Sequence, residues 1–528
     1  MSPGICSVFL FLFQVIVNVK CEKKFANTYA VGFMHLGSRD QKIICQSKIL
    51  VTSYEEAKFQ IRKRGNYSYF WNLGPKHMWK VDFDPFKERM DKYDAVEEKG
   101  ALISSDQDIC IHGLNLDFNT YGGFRAEKLT PEATEFYLPA FSVKYGSSVY
   151  AIVAAENDTV VEIYYRDSKS GSYLDPKVVS MDIFDIYQNG KYSYDLTGTY
   201  IKSNKSVAVY SGVDCGEVPV GTNWCDNMLV GVPPVANLGN KFVMGPFLDR
   251  KNTTGYIFRV ISTADNTSVE IFDDFDNDTD KNAYLSRGEF VEINYNRSVI
   301  AQVVCSLPCM VIQYNKGNKF DDVKTDPLML LVPPVKEYAN KLIWSIPEDR
   351  HGLPMYSFAN VVAPKGKEDG VLLNENKVIK TWQPVPGGGY SILTVWVTQG
   401  PHTMRHKDEG VRIGAMIYGH GNYEAIAYGY PACDAGNHSN EEGNKSSKDL
   451  LYQMLCLLFG FLIGILLILA ITGVIWRRRK LKGLAGFSFE KFDDKETGKD
   501  GISNQGHIVY KKDDDLPMTD TATTEQRY

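Results

Sequence analysis

The densest group of metal-ligating side chains in the sequence is the run Phe272-Asp-Asp-Phe-Asp-Asn-Asp-Thr-Asp280. Asp274, Asp276, Asp278 and Asp280 alternate along it, and hard carboxylate oxygens are what Ca²⁺ takes. The EF-hand template fails, however. Counted from Asp274, the place of the obligatory Gly is Thr279 and the place of the bidentate Glu is Leu285. The run follows a strand-like segment, so a solvated acidic turn is the plainer reading. A sugar on Asn277 would crowd it further.

His402 and His406 stand four apart, but no zincin Glu accompanies them and Pro401 opposes a helix there. No nucleophile elbow, Walker loop or dinucleotide fingerprint is present. Gly387-Gly-Gly389 follows Pro386 and precedes a strand pattern over Tyr390 to Val397, so it reads as a turn. The chain is therefore expected to be no enzyme and to carry no cofactor. The alternative, a membrane-tethered hydrolase, would need a pocket of convergent polar groups.

Seven cysteines lie between Glu22 and the apolar run described next: Cys45, Cys110, Cys215, Cys225, Cys305, Cys309 and Cys433. An odd number leaves one thiol over. Cys215–Cys225 and Cys305–Cys309 each close a short loop at small entropic cost. The partners of Cys45, Cys110 and Cys433 stay open. Zinc is the competing reading, without paired C-x-x-C or clustered His to support it.

Leu450 to Trp476 contains 17 Leu, Ile, Phe or Val residues and no charge, and Arg477, Arg478, Arg479 and Lys480 follow at once. A helix needs about 20 apolar residues to cross a bilayer, and basic flanks stay in the cytoplasm. Val8 to Val19 reads as the apolar core of a leader, giving a mature start near Glu22. Nine sugar-acceptor sequons begin at Asn66, Asn157, Asn204, Asn252, Asn266, Asn277, Asn296, Asn437 and Asn444, all before the apolar run. That one-sided distribution suits a glycosylated ectodomain. Gly460 and Gly464 are one turn apart, a spacing that permits a homodimer through the membrane helix. The expected plan is a leader (1–21), an ectodomain (22–432), a stalk (433–449), a transmembrane helix (450–476) and a disordered cytoplasmic tail (477–528). The net charge of −6 argues against a nucleic-acid partner.

The ectodomain repeats itself. Asp226-Asn-Met-Leu-Val-Gly-Val-Pro-Pro-Val235 matches Asp326-Pro-Leu-Met-Leu-Leu-Val-Pro-Pro-Val335. His112, Tyr210, Tyr314 and Tyr418 fall at equivalent places in successive units, which are read as 22–107, 108–204, 205–308 and 309–432. Short Val-, Ile- and Tyr-rich segments between Gly, Asn and Pro indicate strands. In Thr267 to Phe272, Val269 and Ile271 share one face and Glu270 takes the other. Ser53 to Arg64 alone suggests a short helix. The expected fold is an all-β ectodomain of tandem β-sandwich-like repeats in an elongated row, with loops carrying the contacts. The Val-Pro-Pro-Val segments must leave or edge the sheets.

Glu98-Lys-Gly100, the Val-Pro-Pro-Val segments and Tyr418-Gly-His-Gly-Asn-Tyr-Glu-Ala-Ile-Ala-Tyr-Gly-Tyr-Pro431 resemble the IgGFc-binding protein N-terminal domain family over roughly 26–432. The resemblance implies an extracellular, surface- or mucus-associated binding role, without implying antibody binding or carrying any binding residue across. This chain lacks the family member's cysteine-rich von Willebrand-type repeats. The expected function is that of a type I single-pass plasma-membrane glycoprotein binding an extracellular protein or glycan in adhesion or recognition. A structural surface-coat glycoprotein is the other non-enzymatic alternative.

Overall fold

A computed structural model describes residues 25, 27–35, 46–117, 120–167, 169–222, 225–248, 254–275, 281–317, 325–349, 351–421, 426–435, 464 and 469–479. The chain divides into two compact units, Met1–His438 and Ser439–Tyr528. In the second unit, Gly464 and residues 469–479 are helical. Among the described residues no helix is long and apolar enough to cross a membrane. Most of 450–476, Gly460, the leader and the tail beyond Arg479 lie outside the described residues.

The first unit begins with eight strands: Asn27–Val31, Gln46–Thr52, Ala57–Lys63, Tyr67–Leu73, Met78–Phe83, Ala101–Ser105, Cys110–Asp117 and Thr120–Arg125. They form two antiparallel sheets, ordered first-sixth-third-fourth and fifth-second-seventh-eighth. Ala57–Lys63 corrects the short helix expected over Ser53 to Arg64. Ala57, Phe59 and Ile61 are buried and Lys58 is exposed, a period of two that only a strand satisfies. Val31, Ile49, Val51, Phe59, Ile61 and Ile111 from both sheets meet in one core.

The same plan recurs three times. The second sandwich uses Glu135–Tyr137, Ser147–Ala154, Thr159–Tyr164, Lys177–Met181, Asp185–Tyr192, Tyr200–Ser203, Val207–Gly216 and Asp226–Val232. The third uses Gly239–Met244, Tyr256–Ser262, Thr267–Asp273, Ala283–Leu285, Phe290–Asn294 and Leu328–Val332, with its sixth and seventh strands fused into Ala301–Asn315. The fourth uses Lys341–Ile346, Tyr356–Pro364, Val371–Leu373, Asn376–Lys377, Tyr390–Val397, Gly400–His406, Gly414–His420 and Ala427–Pro431. Strand order is preserved throughout. Ala95–Glu98, from the first sandwich, adds itself to Asp185–Tyr192 of the second, and Cys433–Asp434 adds to Lys341–Ile346.

Two expectations are corrected here. The unit limits at 107/108 and 204/205 cut the first two sandwiches between the sixth and seventh strands, and 308/309 falls inside the fused strand of the third. The sheets close instead after the eighth strand, because a repeat read from sequence has a period but no phase. The chain leaves the sheets at Val232 and Val332, where Pro233-Pro234 and Pro333-Pro334 supply no N–H, and short turns at Val235–Asn237 and Val335–Glu337 lead onward.

Nor are the sandwiches in an elongated row. Thr120–Arg125 packs on Asp226–Val232, which packs on Leu328–Val332, then on Ala427–Pro431, which returns to Thr120–Arg125. The four eighth strands thus make a closed circuit. Glycine allows this approach: a Cβ on Gly231 would come within 2.0 Å of the Arg125 carbonyl oxygen, and one on Gly123 within 3.1 Å of Tyr428 Cβ.

Candidate functional site

The repeat landmarks sit at the seams. Tyr210 donates its hydroxyl to the Ala30 carbonyl (2.7 Å) and Tyr314 donates to Ala140 (2.6 Å), each reaching into the preceding sandwich. Tyr418 accepts from the Leu248 N–H at 2.7 Å. His112 takes the fourth place, with Nε2 3.4 Å from the Pro431 carbonyl and its ring stacked 3.9 Å from Tyr430. Burial pushes His112 down to about 3, so it is neutral at physiological pH. Beside it a disulfide joins Cys110 to Cys433, clasping the first sandwich to the fourth.

Where the eighth strands end, the junctions between sandwiches frame a pocket of about 380 Å³. Arg125 and Lys128 reach it from the first junction, Asn237 from the second, Lys336 and Glu337 from the third, and Cys433 and Asp434 from the segment after the last strand. Arg125 is a largely buried cation in its lining. Its Nη1 donates to the Ala432 carbonyl (3.1 Å), its Nη2 pairs with Glu127 (2.7 Å) and Glu337 lies at 3.5 Å. Burial opposes that charge, but the two carboxylates outweigh it and raise the guanidinium pKa. Burial raises Glu337 against the pull of Arg125. Such a site can hold a polar ligand through a fixed cation and a ring of mixed charges.

At the other end of the eighth strands, Asp226 joins three sandwiches. Its Oδ1 accepts from the Tyr121 and Asn227 N–H groups (2.8 and 2.7 Å), and its Oδ2 from the Ala427 N–H (3.2 Å). Asp326, at the equivalent place, is buried and its Oδ1 has no hydrogen-bond partner. Burial pushes both carboxyls up, and Asp326 raises Asp226 further.

The remaining candidates separate. Asp274 is spent on structure: its Oδ1 accepts from the Ile300 N–H at 2.9 Å. Lys281 pairs with neighbouring Asp273 at 2.8 Å, and Arg297 donates to the Asp274 carbonyl. Two cations, Lys281 and Arg297, thus already serve this loop. Asp276, Asp278 and Asp280 lie outside the described residues. His402 and His406 are held by Thr398, Asn374 and Lys367. Gly387, Gly388 and Gly389 all have positive φ, as a turn requires. Disulfides join Cys215 to Cys225 and Cys305 to Cys309. A third disulfide takes Cys110 and Cys433, and Cys45 lies outside the described residues. Asn157, Asn204, Asn266 and Asn296 are exposed; Asn66 is described in its backbone only, and Asn252, Asn277, Asn437 and Asn444 are not described.

Sequence reasoning missed Arg125 and its carboxylates. Glu337 is 212 residues away from Arg125, and no spacing rule reports such a contact. Asp226 and Asp326 did carry a signal, since both open the repeated Val-Pro-Pro-Val segments.

A sequence model of the family described as "IgGFc binding protein" matches residues 131–419. This is narrower than the 26–432 over which the motifs resemble the family, and it begins just before the second sandwich. The human protein named "IgGFc-binding protein" is 23% identical over 350 residues, which cover 64% of this chain and 6% of that much longer protein. With more than half of its length matched, the chain belongs to the IgGFc-binding protein family.

Proposed function

We propose that this chain is a type I single-pass glycoprotein of the plasma membrane whose four-sandwich ring binds an extracellular protein or glycan at the pocket of about 380 Å³. The observation that carries this reading is the make-up of the pocket. Arg125, Lys128, Lys336 and Arg412 are balanced there by Asp108, Glu127, Glu337 and Asp434. A balanced field suits the mixed polar surface of a protein or sugar rather than a polyanion. The apolar run 450–476 with its basic flank supports the membrane anchor. The human relative's name makes immunoglobulin Fc the first protein ligand to try.

The test uses multimerised ectodomain, Glu22 to Asp449, on intact cells, a glycan array and immunoglobulin Fc. Saturable binding to one class, weakened at least tenfold by Lys336→Glu with Arg412→Glu, is the expected result. A folded ectodomain that binds nothing, or binds undiminished after both substitutions, refutes the pocket as the site and favours the surface-coat reading.

A further inference from the structure

Tyr67–Leu73, the fourth strand of the first sandwich, is an edge strand, paired among the described residues only with Ala57–Lys63. Its equivalents in the other sandwiches are blunted. Lys177–Met181 has 5 residues and opens with a lysine, Ala283–Leu285 has 3, and Asn376–Lys377 has 2 and ends in a lysine. Short length and lysine are the usual protections against edge-to-edge pairing. Tyr67–Leu73 has 7 residues with no charge and no proline. Tyr69 is 51% exposed and Phe70 67%, with the Phe25 ring 6.4 Å from that of Phe70. Among the four equivalent edges of the described residues, this one alone is long and uncharged.

We propose that this edge pairs with the same strand of a second copy, antiparallel about a two-fold axis through Phe70. The strand is self-complementary about that residue. Phe70 meets Phe70, Tyr69 meets Trp71, and Ser68 meets Asn72. These three central pairings are aromatic with aromatic or polar with polar, the end positions Tyr67 and Leu73 oppose one another, and no like charges meet. An isologous contact is what such a palindrome produces. Trp71 stacks on core residue Phe59, centroids 5.2 Å apart, with Tyr69 5.8 Å from Trp71. Joining Tyr69 of each copy to Trp71 of the other therefore extends the sandwich core across the axis. The sequon at Asn66 flanks the paired segment rather than entering it.

The test uses the full chain at the cell surface. Cys45→Ser, and Cys456→Ser for the one cysteine of the apolar run 450–476, remove stray thiols, and Gly460→Ile with Gly464→Ile removes any association of membrane helices. Directly opposed strand residues have Cβ atoms about 4.5–5.5 Å apart, close to disulfide reach. Phe70→Cys is expected to give a reducible dimer as the major species. Tyr284→Cys, on the short edge strand of the third sandwich and 85% exposed, is expected to give no reducible dimer. Phe70→Lys, at the same exposed position, is expected to lower the native dimer fraction at least tenfold. Asn66→Gln is expected to keep or raise the Phe70→Cys yield. Equal crosslinking at both cysteine positions, an unchanged dimer fraction with Phe70→Lys, or a fall with Asn66→Gln that places the contact on the sugar would each overturn the proposal.

Discussion

The Tyr210 hydroxyl donates to the carbonyl oxygen of Ala30, 180 residues earlier in the chain, across the seam between the first two sandwiches. Tyr314 makes the same reach to Ala140 at the next seam. Both hydroxyls are buried, so Tyr210→Phe leaves a buried carbonyl unsatisfied. The expected loss is about 1–3 kcal/mol, read as a shift in the urea midpoint of the ectodomain. An unchanged midpoint would show that the seam holds by ring packing alone.

The last seam is covalent. Cys433→Ser opens the Cys110–Cys433 bond, which spans 323 residues. Loss of a native disulfide costs about 2–5 kcal/mol. Hydrogen exchange should quicken first in Ala427–Pro431 and Thr120–Arg125, the strands that meet there. Uniform quickening over all four sandwiches would mean that the bond serves global stability rather than this seam.

Arg259 binds the second sandwich to the third. It is buried between the rings of Phe141 and Phe290 and pairs with Asp195 (2.9 Å) and Glu292 (2.8 Å). Burial raises Asp195, but Arg259 together with hydrogen bonds from Thr197 and Ser142 outweighs it and holds the carboxyl below its ordinary range. Arg259→Met strands that carboxylate, and about 3 kcal/mol should be lost. Arg259→Met with Asp195→Asn should recover part of it in thermal melts. No recovery would assign the loss to the stacked rings.

Asp226 and Asp326 set a pH dependence. An unfolded Asp titrates near about 4, and both folded pKa values lie above that. Their contribution is therefore full below the unfolded pKa and is lost as pH rises through the folded values. The ectodomain should be less stable in urea at about pH 8 than at about pH 5. Asp326→Asn should remove much of that difference, because an amide neither ionises nor repels Asp226. A parent midpoint equal at both pH values would show that the pair titrates normally.

The strands and their four-fold recurrence were legible in the sequence because periodicity is local. Val269 and Ile271 alternating with Glu270 needed no partner to be read. His112, Tyr210, Tyr314 and Tyr418 were legible as equivalent positions, but not as fasteners, because Ala30 and Pro431 are named by no pattern near them. Arg125 was illegible for the same reason: its role exists only once the first and third junctions meet. The edge at Tyr67–Leu73 looked ordinary until three equivalent strands stood beside it for comparison.

Because Ala427–Pro431 returns to Thr120–Arg125, the count of sandwiches is arithmetic rather than negotiable. An open solenoid gains or sheds a repeat and remains itself, provided its ends are capped. This assembly has no ends to cap. Removing one sandwich leaves two strands facing nothing, and adding a fifth leaves no seam for it. Evolution in such a molecule is confined to changing each quarter in place.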